Sequence, residues 1–229
     1  ASVRPSRAAF GVAGPVVEGQ AKVTNLPWVI SEQRMASRLD LERVTLVNDL
    51  VAIARSVPVL QAEDVHTLNA GEPVEHGPIA VVAPGTGLGE GYLVWHEDGY
   101  HAYPSEGGHA DFAPLDAEQV GLLAYMQQRV GHVSYEWVCS GTGVSYLYEF
   151  LRDTGRAAPS SELDAAVTAA ADPTRVILGR AFEADSPEIC TKTAELFARI
   201  LAAEAGNMAL KVLSLGGVYI GGGIPPRMI

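Results

Sequence analysis

Two hydrophobic periods alternate along this chain, and each change of period marks where one secondary-structure element gives way to another. Residues 8–15 are a short apolar run closed by Gly14-Pro15. Ser31 stands where it can cap a short helix through Leu39, and 43–47 then reads as a buried strand ending in the polar pair Asn48-Asp49. Residues 50–57 read as helical. A polar stretch, 61–77, is the predicted linker, after which 78–83 restarts a buried strand. Residues 92–95 and 100–103 flank Glu97-Asp98-Gly99 and predict a hairpin. Asp116 with Gln119 predicts a capped helix reaching Gly131. Helices follow over 142–152, 162–170 and 173–184, and the longest opens at Ser186-Pro187 with the proline at its first position. Phe197, Leu201, Met208 and Val212 carry its apolar stripe, and Gly216-Gly217 ends it. Residues 218–220 are a last buried strand entering Gly221-Gly222-Gly223. Strands alternating with helices from end to end predict α/β architecture.

Composition narrows the picture. With 229 residues, 48% hydrophobic and 19% charged, the chain has the make-up of a folded protein with room for one large domain or two small ones. Its 16 Lys and Arg against 27 Asp and Glu leave a formal charge of −11. That balance argues against nucleic acid or an anionic membrane as a partner, since both reward clustered cations. The uncharged stretch 212–226 is too rich in glycine and proline to span a bilayer, and residues 1–5 lack the apolar core of a signal peptide. Cys139 and Cys190 stand far apart and form no CxxC, which predicts two buried free thiols in a reducing cytoplasm. His66, His76, His96, His101 and His132 fall in polar loops or hairpin arms and are expected at the surface. Trp28, Trp95 and Trp137 are expected to anchor the core.

Four segments could carry chemistry. Pro84-Gly85-Thr86-Gly87-Leu88-Gly89 follows a strand, and its glycines allow several N–H groups to converge on an anion. It matches neither the dinucleotide-binding fingerprint nor a P-loop, so a structural hairpin turn fits it as well as a phosphate loop does. Asn48-Asp49 lies at the carboxyl end of a strand, where α/β sheets meet their ligands, although position alone favours reading Asp49 as the cap of the following helix. Glu106-Gly107-Gly108-His109-Ala110-Asp111 gathers two carboxylates and an imidazole around a Gly-Gly pair. No partner cluster of His or Cys supports a metal there; a polyhydroxylated ligand suits these groups better, with a plain solvated loop as the other reading. Glu136, by itself, is an ordinary first-turn glutamate.

Taken together these segments say more. Thr24-Asn25, Val47-Asn48-Asp49, Gly85-Thr86-Gly87-Leu88-Gly89, Glu106-Gly107-Gly108-His109-Ala110-Asp111-Phe112-Ala113-Pro114, Glu136 and Gly216-Gly217-Val218-Tyr219-Ile220-Gly221-Gly222-Gly223-Ile224 resemble, in order, bacterial glucokinase. The resemblance runs over essentially the whole chain, and the Glu106 segment is its most specific part. It implies the actin/hexokinase-like (ribonuclease H-like) fold, in which two α/β domains close over a cleft between sugar and ATP. Residues 1–60 would be the remnant of the small domain and 61–229 the large one. The family opens with Asp-x-Gly-Gly-Thr, its first phosphate loop. Residues 1–24 hold no counterpart and the chain stops soon after Gly223, so the sequence is expected to be an internal stretch, truncated at both ends.

Carried over by position, the resemblance makes Asp49 the general base and places Asn48 on the sugar beside it. Glu106, His109 and Glu136 become further ligands of the glucose hydroxyls. Gly85, Thr86, Gly87 and Gly89 match the second phosphate loop, and Gly221, Gly222 and Gly223 the segment against adenosine. The implied activity is ATP-dependent phosphorylation of glucose at its 6-hydroxyl, the first step of glycolysis, with Mg²⁺ accompanying ATP. The Cys- and His-rich zinc motif of the repressor-type sugar kinases is absent, so no resident metal cluster is expected. The alternative is a non-catalytic sugar-binding or regulatory protein on the same fold. Retention of Asp49 favours the kinase, because a pure binder needs no base there. A cytoplasmic location accords with the free thiols, and a homodimer is implied by the resemblance alone.

Overall fold

The computed structural model describes residues 4–22 and 27–229, so Thr24-Asn25 lies outside the described residues. The first elements are β1 (Arg7–Val12), β2 (Val16–Val17), β3 (Gln20–Lys22), β4 (Val29–Ser31), α1 (Glu32–Leu39), β5 (Arg43–Asn48) and α2 (Asp49–Ser56). Then come β6 (Ile79–Pro84), β7 (Leu88–His96), β8 (Gly99–Ser105), α3 (Ala117–Gln127) and α4 (Gly141–Asp153). The chain continues through α5 (Ser161–Ala169), α6 (Pro173–Ala181), α7 (Glu188–Val212) and β9 (Gly217–Ile220). Packing divides them into two units, Ala1–Glu72 with Gly91–Pro104, and Pro73–Glu90 with Ser105–Ile229.

In the first unit β1 and β5 run parallel, with Val12 paired to Asn48, so both strands end together. The connection between them is the antiparallel meander β2-β3-β4 followed by α1. A small core of Val12, Ala21, Val44 and Leu46 holds these pieces, with Val16, Ile30 and Met35 packed against it. Glu32 fastens α1 to the strand beside it, its Oε1 accepting from the Leu46 amide at 2.7 Å.

The second unit is built on β6, buried along its whole length. A strand covered on both faces needs such an unbroken apolar run. β9 lies parallel to it, Ile79 opposite Gly217 and Val82 opposite Ile220, and β7 follows on the other side. α7 packs on β6, α4 and α6. Tyr148, Phe150, Phe197 and Leu147 are fully enclosed in this core. Cys139 and Cys190 are buried and free, as expected. Burial pushes both thiols up, Cys190 to about 11, which leaves them inert near neutral pH. Among the described residues no helix is long and apolar enough to cross a membrane.

Element types match the sequence pattern, and several ends do not. Ser31 makes no side-chain cap; it is held in β4, and the Glu32 amide donates instead to the Gly19 carbonyl at 2.9 Å. α3 stops at Gln127, short of Gly131. Pro187 is the N-cap of α7, extended at ψ 131°, and helix begins one residue later. α7 ends at Leu213, which turns left-handed at φ 50°, before any glycine is reached. β9 has β6 on one side and no strand on the other among the described residues, which leaves Val218 exposed. All five peripheral histidines lie at the surface as expected. Trp137 packs against the core, but Trp28 is 60% exposed and Trp95 37% exposed. Trp28 precedes a short outer strand, and Trp95 lies near the hairpin tip, where it packs edge-on against Tyr100 instead of a core.

Phe197 sits at the centre of the larger core, so Phe197→Ala is expected to lower unfolding free energy by about 3–5 kcal/mol, by transfer and cavity terms together. Urea denaturation checks this; a loss under about 1 kcal/mol would show that the α7 face does not carry the packing.

Candidate active site

In the first unit, the ends of β1 and β5 lead into α2, and the turn is made by Asn48. Its Oδ1 accepts from the amides of Leu50 at 3.0 Å and Val51 at 3.1 Å, while its Nδ2 donates to the Gly14 carbonyl at 3.2 Å. The helix cap is therefore Asn48, and not Asp49. Asp49 is the first helical residue and is exposed. Its Oδ1 takes the Leu50 amide at 2.9 Å, and Oδ2 has no hydrogen-bond partner among the described residues. Capping by its neighbour leaves Asp49 with an outward carboxylate oxygen at the carboxyl end of a parallel strand pair.

In the second unit, Glu136 organises the remaining candidates. Its Oε2 accepts from the Leu88 amide at 2.9 Å, which ties it to the glycine loop after β6. A side chain at Gly87 would collide with that carboxylate, so the loop approaches Glu136 as only glycine allows. Its Oε1 stands 3.8 Å from His109 Nδ1, and His109 Nε2 stands 3.9 Å from Glu106 Oε2. The Glu136 amide donates to the Gly108 carbonyl at 2.8 Å and the Tyr135 amide to the Ala110 carbonyl at 3.0 Å, so segment 134–136 runs beside the 106–112 loop. His132 Nε2 and Asp111 Oδ1, 2.5 Å apart, close the far end of that loop. Glu106, His109 and Glu136 thus come together, half-buried to exposed, as a set of hydrogen-bonding groups open to a polar ligand.

The two glycine segments meet in the same unit because they end adjacent parallel strands. The Gly221 amide donates to the Val82 carbonyl at 2.9 Å. Gly222 adopts φ +82°, and a side chain there would strike the Pro84 carbonyl. At the other side of the loop, the Gly141 amide donates to the Gly85 carbonyl at 2.8 Å, and Thr174 Oγ1 to the Gly141 carbonyl at 2.6 Å. Ser140 caps α4 by accepting from the Gly143 amide at 3.1 Å. Gly85–Gly89 is therefore fastened between two strand ends and the N-terminus of α4, a setting whose dipole favours phosphate oxygens.

Sequence reasoning missed the part of α4 in this arrangement, although Ser140-Gly141-Thr142-Gly143 carries the cap signature. It also passed over Glu90, which is fully buried in β7 with both carboxylate oxygens lacking a partner among the described residues. A lone acidic residue in an otherwise apolar and glycine-rich strand was the available signal.

A family model described as Glucokinase matches residues 1–229. The chain is 40% identical over 237 aligned residues to a glucokinase of Trichormus variabilis, covering 98% of this chain and 69% of that protein. Among solved structures it is similar to a glucokinase from an Antarctic psychrotroph, 31% identical with a TM-score of 0.78, covering 98% of this chain and 66% of the other. A ROK family glucokinase from Streptomyces griseus, in complex with glucose and AMPPNP, shares the fold at 18% identity and a TM-score of 0.60, covering 95% of this chain and 65% of the other. The chain thus spans about two thirds of the length of the proteins it matches.

If Glu136 is what holds Leu88, Glu136→Ala should leave that amide unpaired. Losing a hydrogen bond to a charged acceptor is worth roughly 1.5–3 kcal/mol, so Leu88 amide exchange should quicken by roughly ten- to a hundredfold. Exchange by NMR that stays at the unmutated rate would show that the loop is fixed by other contacts.

Proposed function

The chain belongs to the glucokinase family of ATP-dependent hexose kinases, on the actin/hexokinase-like fold, and on that premise we propose that it phosphorylates glucose at the 6-hydroxyl with ATP as donor. The observation that supports the proposal is the grouping of Glu106, His109 and Glu136 beside the Gly85–Gly89 loop, groups suited to hydroxyls next to backbone suited to phosphate. Phosphoryl transfer passes through a loose transition state, so positioning and charge stabilisation supply most of the rate.

In this reading Glu106, His109 and Glu136 of the second unit bind sugar hydroxyls, and Asn48 of the first unit is a sugar ligand by the family likeness, with one Nδ2 hydrogen beyond its bond to the Gly14 carbonyl. The carboxylates accept hydroxyl protons in directed bonds, and a sugar lacking a hydroxyl would leave an acceptor unpaired. Asp49 is the general base: its exposed carboxylate has an unpartnered oxygen to receive the 6-hydroxyl proton as the bond to phosphorus forms. The amides of Gly85, Thr86, Gly87 and Gly89, with the N-terminus of α4, hold the phosphates, and Gly221, Gly222 and Gly223 lie against adenosine. Mg²⁺ belongs to the reading as part of the Mg–ATP substrate. A hard cation of this kind is held largely by phosphate oxygens and water, and among the described residues no group of three or more His, Cys, Asp or Glu stands ready to cage it. A cytoplasmic homodimer is part of the same reading, supported by the two free thiols and the family likeness.

Asp49→Asn preserves shape and removes the base. It is expected to lower turnover roughly 100- to 10,000-fold in a coupled assay with glucose and Mg–ATP, while glucose affinity by titration calorimetry stays within about twofold. A variant keeping most of its turnover would remove the general-base role. His109→Ala should instead weaken glucose affinity by roughly two- to tenfold, the worth of one hydrogen bond. Unchanged affinity would take His109 out of the sugar site.

A further inference from the structure

Glu90 and Glu204 are both fully buried, and neither belongs to the site described above. Their surroundings are unequal. Glu204 Oε1 receives Lys211 Nζ at 3.0 Å and its Oε2 receives Asn207 Nδ2 at 2.9 Å, Asn207 also reaching the Tyr135 hydroxyl at 2.9 Å. Among the described residues, Glu90 has no donor on either oxygen. An isolated carboxylate in that state is prohibitively expensive, and the cost is escaped by taking up a proton. Between two carboxyl groups that proton also makes the hydrogen bond, given by the acid and accepted by the carboxylate. Burial first, and the charge of Glu204 second, raise Glu90 from 4.5 to about 7, against a smaller opposing pull from Lys211. The other titratable groups facing this pair are Tyr135 and Cys139, both held neutral by burial.

What lies over Glu90 gives the pair a purpose. A side chain at Gly107 would collide with Glu90 Oε2 and come within 3.0 Å of its Cδ. The carboxyl group is therefore the floor on which the Glu106–His109 loop rests, with Ser105 Oγ accepting the Gly107 amide at 3.0 Å beside it. We propose that Glu90 is a positioning residue: as a neutral acid hydrogen-bonded to Glu204 it seats Gly107, and so holds Glu106 and His109 in their places. This deepens the sugar-site reading and rests on it for its functional meaning, while the seating itself is a property of the fold.

The sign follows from the proton. A second negative charge under Gly107 can be relieved only by letting water in, which lifts the loop. In the lifted state Glu90 returns toward its ordinary value, so lifting is linked to deprotonation. The stability it contributes is complete below about pH 4.5 and is given up as pH rises to about 7. With those two values the loop-opening constant should rise roughly tenfold between pH 6 and pH 8 and level off above that.

The test is amide hydrogen exchange of the unmutated chain across pH 6 to 8, with and without glucose, read at His109, Ala110 and Glu136 and divided by the intrinsic exchange rate at each pH. These amides are bonded to the carbonyls of Glu106, Gly107 and Gly108, so they report the seated loop. Protection should fall roughly tenfold in that range. Glu90→Gln keeps the shape without the titration, and its profile should be flat. Glu204→Gln removes the neighbouring charge and should move the fall to lower pH. Glucose should slow exchange at the same amides. A flat profile in the unmutated chain, or an unaltered fall in Glu90→Gln, overturns the proposal. A normal fall that glucose does not affect leaves the seating role in place and removes the sugar reading of the loop.

Discussion

The arrangement turns on the two oxygens of Glu136. One is fixed by the Leu88 amide, at the root of the glycine loop, and the other faces His109. A single carboxylate therefore joins the segment suited to phosphate with the segment suited to hydroxyls. This economy constrains the backbone severely. Gly87 must lack a side chain to admit the carboxylate, and the 134–136 segment must run alongside the 106–112 loop to present it. The bridge costs little because Glu136 is only half-buried and keeps an oxygen open to a ligand. A fully enclosed glutamate could not serve in this way, as the contrast with Glu90 shows.

Parallel strand ends explain why the glycine segments converge. β6 and β9 lie side by side, so the turns that follow them must lie side by side as well, and the start of α4 closes the third side. The first unit repeats the principle with β1 and β5, where the shared end presents Asn48 and Asp49. Two adjacent residues divide the labour there. Asn48 satisfies the helix amides, and this frees Asp49 to keep one oxygen outward. A sequence reading of position alone would favour the cap for Asp49; the order of the pair settles it, because the N-cap residue precedes the first helical turn.

Much of this is legible in the sequence alone. The buried run of β6 and the turn chemistry of the hairpin were visible, as was the long stripe of α7, because local pattern and tertiary environment agree there. The candidate loops were legible as a set only through their order along the chain; singly, each had an ordinary structural explanation. Less legible were the features that depend on distant partners. Nothing local marks Leu213 as the end of α7, since a left-handed turn is uncommon for a leucine, and nothing local says that Trp28 stays exposed. Glu90 is the sharpest case. Burial first, and then Glu204 in another element, raise its carboxyl above the ordinary range, and its neighbour Gly107 comes from a third.

The central claim is that Glu106, His109 and Glu136 form one sugar site. A crystal structure of this protein with glucose bound tests it most directly. The account predicts that the sugar lies on these three side chains, with its hydroxyls within about 3.2 Å of their polar atoms. Glucose found elsewhere, with the His109–Glu136 pair undisturbed and facing solvent, would contradict it.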